Sequence, residues 1–175
     1  MLIASRPRAN FALFVLRNCL RYSDFEFART MPALFNKFGI HFQYPENWTL
    51  ETDSSAPGRQ TVSVYSPGGG FWTVALAPSE SDPAQLAETA LETIKREYDE
   101  LDSEKTSESI GEVDLIGYDL NFYCLDLTNT AWIRAGRGHR ATYLVICQAE
   151  DREFDQISPV FRAMTTSLLE RNAER

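Results

Sequence analysis

SPGGGFWTVAL, residues 66 to 76, decides how this chain is read. Three consecutive glycines serve either as a loop that holds a phosphate or as a reversal between two strands. A phosphate loop runs its glycines into a helix, whose N-terminal amides and positive dipole end face the anion. Here no Gly-Lys-Ser or Gly-Lys-Thr follows, and Phe71-Trp72-Thr73-Val74 is aromatic and β-branched, which suits a pleated strand. Val62 and Val64 alternate with polar residues before the glycines, and Trp72, Val74 and Leu76 alternate after them. The stretch therefore predicts a hairpin whose glycines supply positive φ, and with it a sheet protein.

Outward from the hairpin, the same period of two recurs. FGIHFQYPENW places Phe38, Ile40, Phe42 and Tyr44 on one pleat face, with Pro45 ending the strand and Trp48 and Leu50 resuming the rhythm. Pro57-Gly58 is the next turn signal. Asp82-Pro83 opens a helix, Asp82 as cap and Pro83 first, with Leu86, Ala90, Leu91, Ile94, Tyr98 and Leu101 on one stripe. Its acidic far end, Glu97 to Glu104, opposes the helix dipole and reads as a solvated face.

Strands return after Thr106: Ile110 to Leu115, then Tyr118 to Cys124 with Gly117 at a turn, then Ala131 to Ala135. After Gly136-Arg137-Gly138 comes His139 to Gln148, apolar on both faces and so central. A closing helix carries Phe154, Ile157, Phe161, Met164 and Leu168, expected to start in earnest at Ser158-Pro159 after a short turn from Asp151. The fold class expected is α+β, a mostly antiparallel central sheet with helices packed on both faces.

At 175 residues, 43% hydrophobic and 24% charged, the chain suits one globular domain able to bury roughly two thirds of its unfolded surface. We expect that domain to span residues 31 to 175. Residues 1 to 30 carry five arginines against Asp24 and Glu26, and the remainder carries 12 basic and 23 acidic groups. So acidic a body lacks the electrostatic footprint of a nucleic-acid binder. The apolar run Phe11 to Leu16 is too short for a secretory core and is broken by Arg17, so residues 1 to 30 are expected to be a loose extension or a mis-assigned start. A membrane tether through them is the alternative. Cys19, Cys124 and Cys147 show neither a disulfide framework nor a zinc spacing, which suits a reducing compartment, the cytoplasm.

FGIHFQYPENWTL, GGGFWTVAL, the helix from Pro83 and the closing ATYLVICQAEDREFDQISPVFRAMTTSLL resemble the superfamily of the PsbP extrinsic proteins of photosystem II, the Mog-type Ran-binding import factors and the DcrB-like bacterial proteins. The resemblance spans about residues 34 to 170. It implies a sheet between helices and members that bind proteins or assist assemblies, and a bacterial PsbP-related chain is the nearest description. It transfers no functional residue, and the chain is not expected to carry the cleaved targeting segment of the photosystem proteins.

Chemistry is sparse. His41 and His139 stand on strands without ligand partners in the sequence, so no metal or cofactor is expected. Cys124 and Cys147 read as core hydrophobes, and His139 is about 26 Å along a strand from Cys147, too far to activate it. The candidate interaction surface is Trp132, Arg134, Arg137, His139 and Arg140, with Trp72, because arginine forks suit carboxylates or phosphates and tryptophan anchors interfaces. The expected function is a non-catalytic interaction or assembly module with a protein partner, of open oligomeric state. The rival is a small-molecule binder or enzyme with its site at the Arg134 to Arg140 hairpin.

Overall fold

A computed structural model describes residues 31–56, 59–98 and 100–173. The thirty N-terminal residues and the turn expected at Pro57-Gly58 lie outside the described residues. Five strands come first: β1 (Pro32–Lys37), β2 (Ile40–Pro45), β3 (Thr49–Ala56), β4 (Arg59–Tyr65) and β5 (Phe71–Ala77). Helix α1 (Pro83–Lys95) follows, then β6 (Leu101–Ile110), β7 (Val113–Cys124), β8 (Leu127–Arg137), β9 (Thr142–Glu150) and helix α2 (Asp151–Ala173). Seven strands form one antiparallel sheet in the order β3-β4-β5-β9-β8-β7-β6, while β1 and β2 pair as a separate hairpin.

β9 is central, and its alternation sorts the core into two layers. Val145, Cys147 and Ala149 join Trp72, Val74 and the α2 stripe Phe154, Ile157, Phe161, Met164 and Leu168. Ile146 faces the other way, with Phe71, Leu120, Ile133 and the α1 residues Ala87, Leu91 and Ile94. Because neighbouring residues of a strand point to opposite faces, α1 and α2 cover opposite faces of the sheet, as the α+β expectation requires. The β1-β2 hairpin shares the α2 layer, where Phe42 meets Trp72 with ring centres 4.8 Å apart and the Gln43 amide donates to Ser167 Oγ at 3.0 Å.

Residues 66–70 form the expected hairpin connection: the Ser66 amide donates to Gly70 O at 2.8 Å and the Gly69 amide to Ser66 O at 3.2 Å. Of its three glycines only Gly69 has positive φ, at 106°. Gly70 is required by space instead. A Cβ at Gly70 would stand 2.7 Å from Ile157 Cδ1, so the residue lets α2 close on the loop.

Four local expectations are corrected. Gly117 is inside β7, opposite Arg134, because a Cβ there would collide with the Ile133 carbonyl; the turn falls at Gly111, φ 59°. α1 ends at Lys95, and Leu101 opens edge strand β6 although it continues the helical stripe, because β7 pairs with it. Phe38 leaves the pleat to make the β1-β2 turn with Gly39, at φ 58° and 76°. α2 runs unbroken from Asp151 with Pro159 inside it. Pro159 is exposed, and burial of the α2 stripe outweighs the roughly 3 kcal/mol that an interior proline costs.

Candidate functional site

The strand register divides the arginine-rich candidate in two. Arg134 points into the α2 layer, 5% exposed. Its Nε donates to Glu108 Oε1 at 2.6 Å and its Nη2 to Asp119 Oδ1 at 2.6 Å, while Nη1 donates to the carbonyls of Tyr118 at 3.1 Å and Ile133 at 3.0 Å. Glu108 also accepts from Arg162 of α2 at 2.7 Å, and Arg162 stacks over Trp132 at 4.7 Å from the ring centre. Gly117, paired with Arg134, lets β7 and β8 approach closely here, since a Cβ would meet the Ile133 carbonyl. Burial pushes the Glu108 carboxyl up, but hydrogen bonds and charge from Arg134 and Arg162 overcome it and hold it below the usual carboxylate range.

Arg137, His139 and Arg140 remain exposed at the β8-β9 turn, where Arg137 Nη2 donates to Ser81 O at 3.3 Å. The turn is fastened to the start of α1, since Thr142 Oγ1 also donates to Ser81 O, at 3.2 Å. The structure thus keeps Arg134 beside Trp132, 5.5 Å from its ring centre, but does not bring it together with Arg137, His139 and Arg140. Trp132 is half-buried, edge-on to Phe154 at 4.8 Å. Trp72 is fully buried, its indole N–H donating to Thr165 Oγ1 at 3.0 Å, and it offers no surface to a partner.

Cys147 is a free thiol buried under α2, and burial pushes it far up, the reverse of what a nucleophile needs. Cys124, buried on the α1 side, is disulfide-bonded, unlike the unmodified thiol expected there. Among the described residues no group of three or more histidine, cysteine or carboxylate side chains is placed to hold a metal ion.

Two features escaped the sequence reading. Glu153, in the first turn of α2, sends its carboxylate into the triglycine loop, where it accepts from Ser66 Oγ and, at 3.1 Å, from the Gly70 amide. Burial pushes this carboxyl up and Glu150 adds to the rise, against the two hydrogen bonds. The second is the β7-β8 turn. Tyr123, Leu125 and Leu127 are 60%, 61% and 42% exposed, and Leu125 and Asp126 hold φ of 51° and 63°. The unusual residues at a two-residue turn were the available signal, since such turns favour Asn-Gly.

No protein-family model matches the sequence, and no curated protein matches it. Among solved structures, the solution structure of cyanobacterial PsbP (CyanoP) from Synechocystis sp. PCC 6803 aligns with 83% of this chain and 95% of its own, at 11% identity and a TM-score of 0.56. The fold is therefore PsbP-like. A protein of unknown function from Pseudomonas aeruginosa aligns at 10% identity over 78% of this chain and 95% of its own, TM-score 0.47. LpqN, involved in cell envelope biogenesis of Mycobacterium tuberculosis, aligns at 11% identity over 91% and 95%, TM-score 0.44. No described helix is long and apolar enough to cross a membrane.

Proposed function

We propose that this chain is a non-catalytic module that works by holding a protein partner, and that the β7-β8 turn is its principal contact. The observation that carries the reading is Leu125: a large apolar side chain, 61% exposed, on backbone at φ 51°. Left-handed backbone costs a non-glycine residue about 1–2 kcal/mol, and an exposed leucine recovers nothing for the fold. Strain of this kind is tolerated where a surface is used, and Tyr123 and Leu127 extend the apolar area around it. The reactive groups are spent inside, Arg134 on Glu108 and Asp119, Glu153 on its loop. Arg137, His139 and Arg140, at the opposite end of β8, form a second, electrostatic contact within the same reading. The PsbP-like fold supports a binding role over a catalytic one.

Affinity capture from the native cell with the wild type and with Leu125→Gly tests this. Glycine at 125 relieves the strain, so the variant is expected to melt higher while losing a protein that the wild type recovers. Equal recovery by both, or no specific protein with either, overturns the reading. Arg137→Glu/Arg140→Glu, read the same way, isolates the second contact.

A further inference from the structure

We propose that the Ser66–Gly70 loop is a carboxylate-binding site that the protein fills with its own Glu153, and that a free small carboxylate takes the place of that side chain when it is removed. This inference does not depend on the partner-binding reading. Both oxygens of the carboxylate are used: Ser66 Oγ donates to one, and the Gly70 amide donates to the other at 3.1 Å. Donors and acceptor lie 83 and 87 residues apart in sequence, so the contact exists only because β5, β9 and α2 are assembled.

Gly68 supplies an independent observation. A Cβ built there would stand 2.6 Å from Glu153 Cδ and 2.9 Å from Oε2, so the loop lacks a side chain where the carboxylate sits. Gly68 is outside the positive-φ region, unlike Gly69 at 106°. Alanine at 68 is therefore compatible with the backbone and opposed by the carboxylate, the far end of a flexible side chain that would be evicted instead of the loop. Ser66 is itself 6% exposed, which keeps its hydroxyl from choosing water over the carboxylate. The loop is closed by its own Ser66 and Gly70 bonds, so the donors stay in place when the side chain is gone. Glu153→Ala removes the equivalent of acetate, and acetate is the ligand whose size and donor needs the vacated loop matches.

The strand register puts this clasp at the end of the sheet that also carries the β7-β8 turn, since Phe71 pairs with Gln148 and Asn129 with Glu150. It ties the β4-β5 turn to the first turn of α2 at that end.

The test is a double-mutant cycle on the full chain, read by thermal unfolding, with sodium acetate against sodium chloride at equal ionic strength. Gly68→Ala is expected to lower the melting temperature of the wild type by a few degrees and to leave the Glu153→Ala background unchanged or raised. Acetate is expected to raise the melting temperature of Glu153→Ala saturably over chloride, and to leave the wild type and Ser66→Ala/Glu153→Ala unmoved. An equal cost of Gly68→Ala in both backgrounds, or no advantage of acetate over chloride, overturns the proposal. Should Glu153→Ala fail to fold, hydrogen exchange at the Gly70 amide of wild type and Gly68→Ala decides: protection lost in Gly68→Ala supports the site, and unchanged protection refutes it.

Discussion

Arg134→Met separates a structural arginine from a recognition arginine. Removing one member of a buried ion pair costs about 3–5 kcal/mol when it strands the other charge. Neither acid is stranded here, because Glu108 keeps Arg162 at 2.7 Å and the Asp119 side chain is 43% exposed to water. What is lost is the pair of Nη1 hydrogen bonds to the carbonyls of Tyr118 and Ile133, at 3.1 and 3.0 Å, and the packing of the guanidinium near the Trp132 ring, 5.5 Å from its centre. A hydrogen bond contributes about 0.5–1.5 kcal/mol net, so losing two makes the expected loss about 2 kcal/mol and the fall in Tm about 4–8 °C for a chain of this size. Arg134→Lys keeps the charge and loses the fork, so it should fall between the two. Arg134→Met/Arg162→Met leaves Glu108, 24% exposed, without a cation and should cost more than the two single changes together. Urea unfolding followed by tryptophan fluorescence gives all four values. A loss below about 0.5 kcal/mol for Arg134→Met would place the network with ordinary surface pairs and refute the reasoning. So would a variant that keeps full stability while losing a captured partner.

The two shifted carboxylates should give opposite pH dependences. The contribution of Glu108, whose folded pKa is lowered, is present above the ordinary carboxylate value of about 4.3 and is lost as pH falls through the folded value, so Glu108→Gln should blunt acid destabilisation. That of Glu153, raised by burial and by Glu150, is full below about pH 4.3 and is lost as pH rises through the folded value, so Glu153→Gln should flatten a decline toward neutrality. Urea midpoints from acid to neutral pH check both, and reversed slopes would refute the assignment. Gly117→Ala should cost about 2–3 kcal/mol, because its Cβ meets the rigid Ile133 backbone; a thermal melt within one degree of wild type would show that β7 and β8 approach less closely than described.

Elements with an unambiguous period were legible in the sequence: the double-faced apolar run of β9, the β5 alternation behind the glycines, the Asp82 cap and the α2 stripe. β6 was not, because LDSEKTSESI has almost no apolar alternation to read, and Leu101 falls at helical spacing from Ile94 and Tyr98. An edge strand is held mainly by its one neighbour, so β7, and not β6's own composition, sets its conformation. Gly117 and Pro159 mislead for a shared reason: each residue punctuates local structure when alone, and each is overridden here by the packing of the element that carries it. The acid partners of Arg134 are 15 and 26 residues away on β7 and β6, so only the register reveals that the arginine is spent internally.

The triglycine stretch shows why motif and fold must be weighed together. Choosing a strand turn over a phosphate loop gave the correct topology, yet the turn still presents a hydroxyl and an amide to an anion. The two roles are compatible because they use different atoms: Gly69 bends the chain, Gly70 donates its N–H, and Gly68 leaves space for an oxygen. A helix after the glycines would have aimed further amides at an outside ligand. A strand after them sends the chain away into the sheet, and the helix that reaches the loop is α2, from the far end of the chain, bringing its own carboxylate with it. An anion-binding turn built this way is closed by the same folding event that forms it, and for that reason the glycines say nothing about catalysis and much about how α2 is seated.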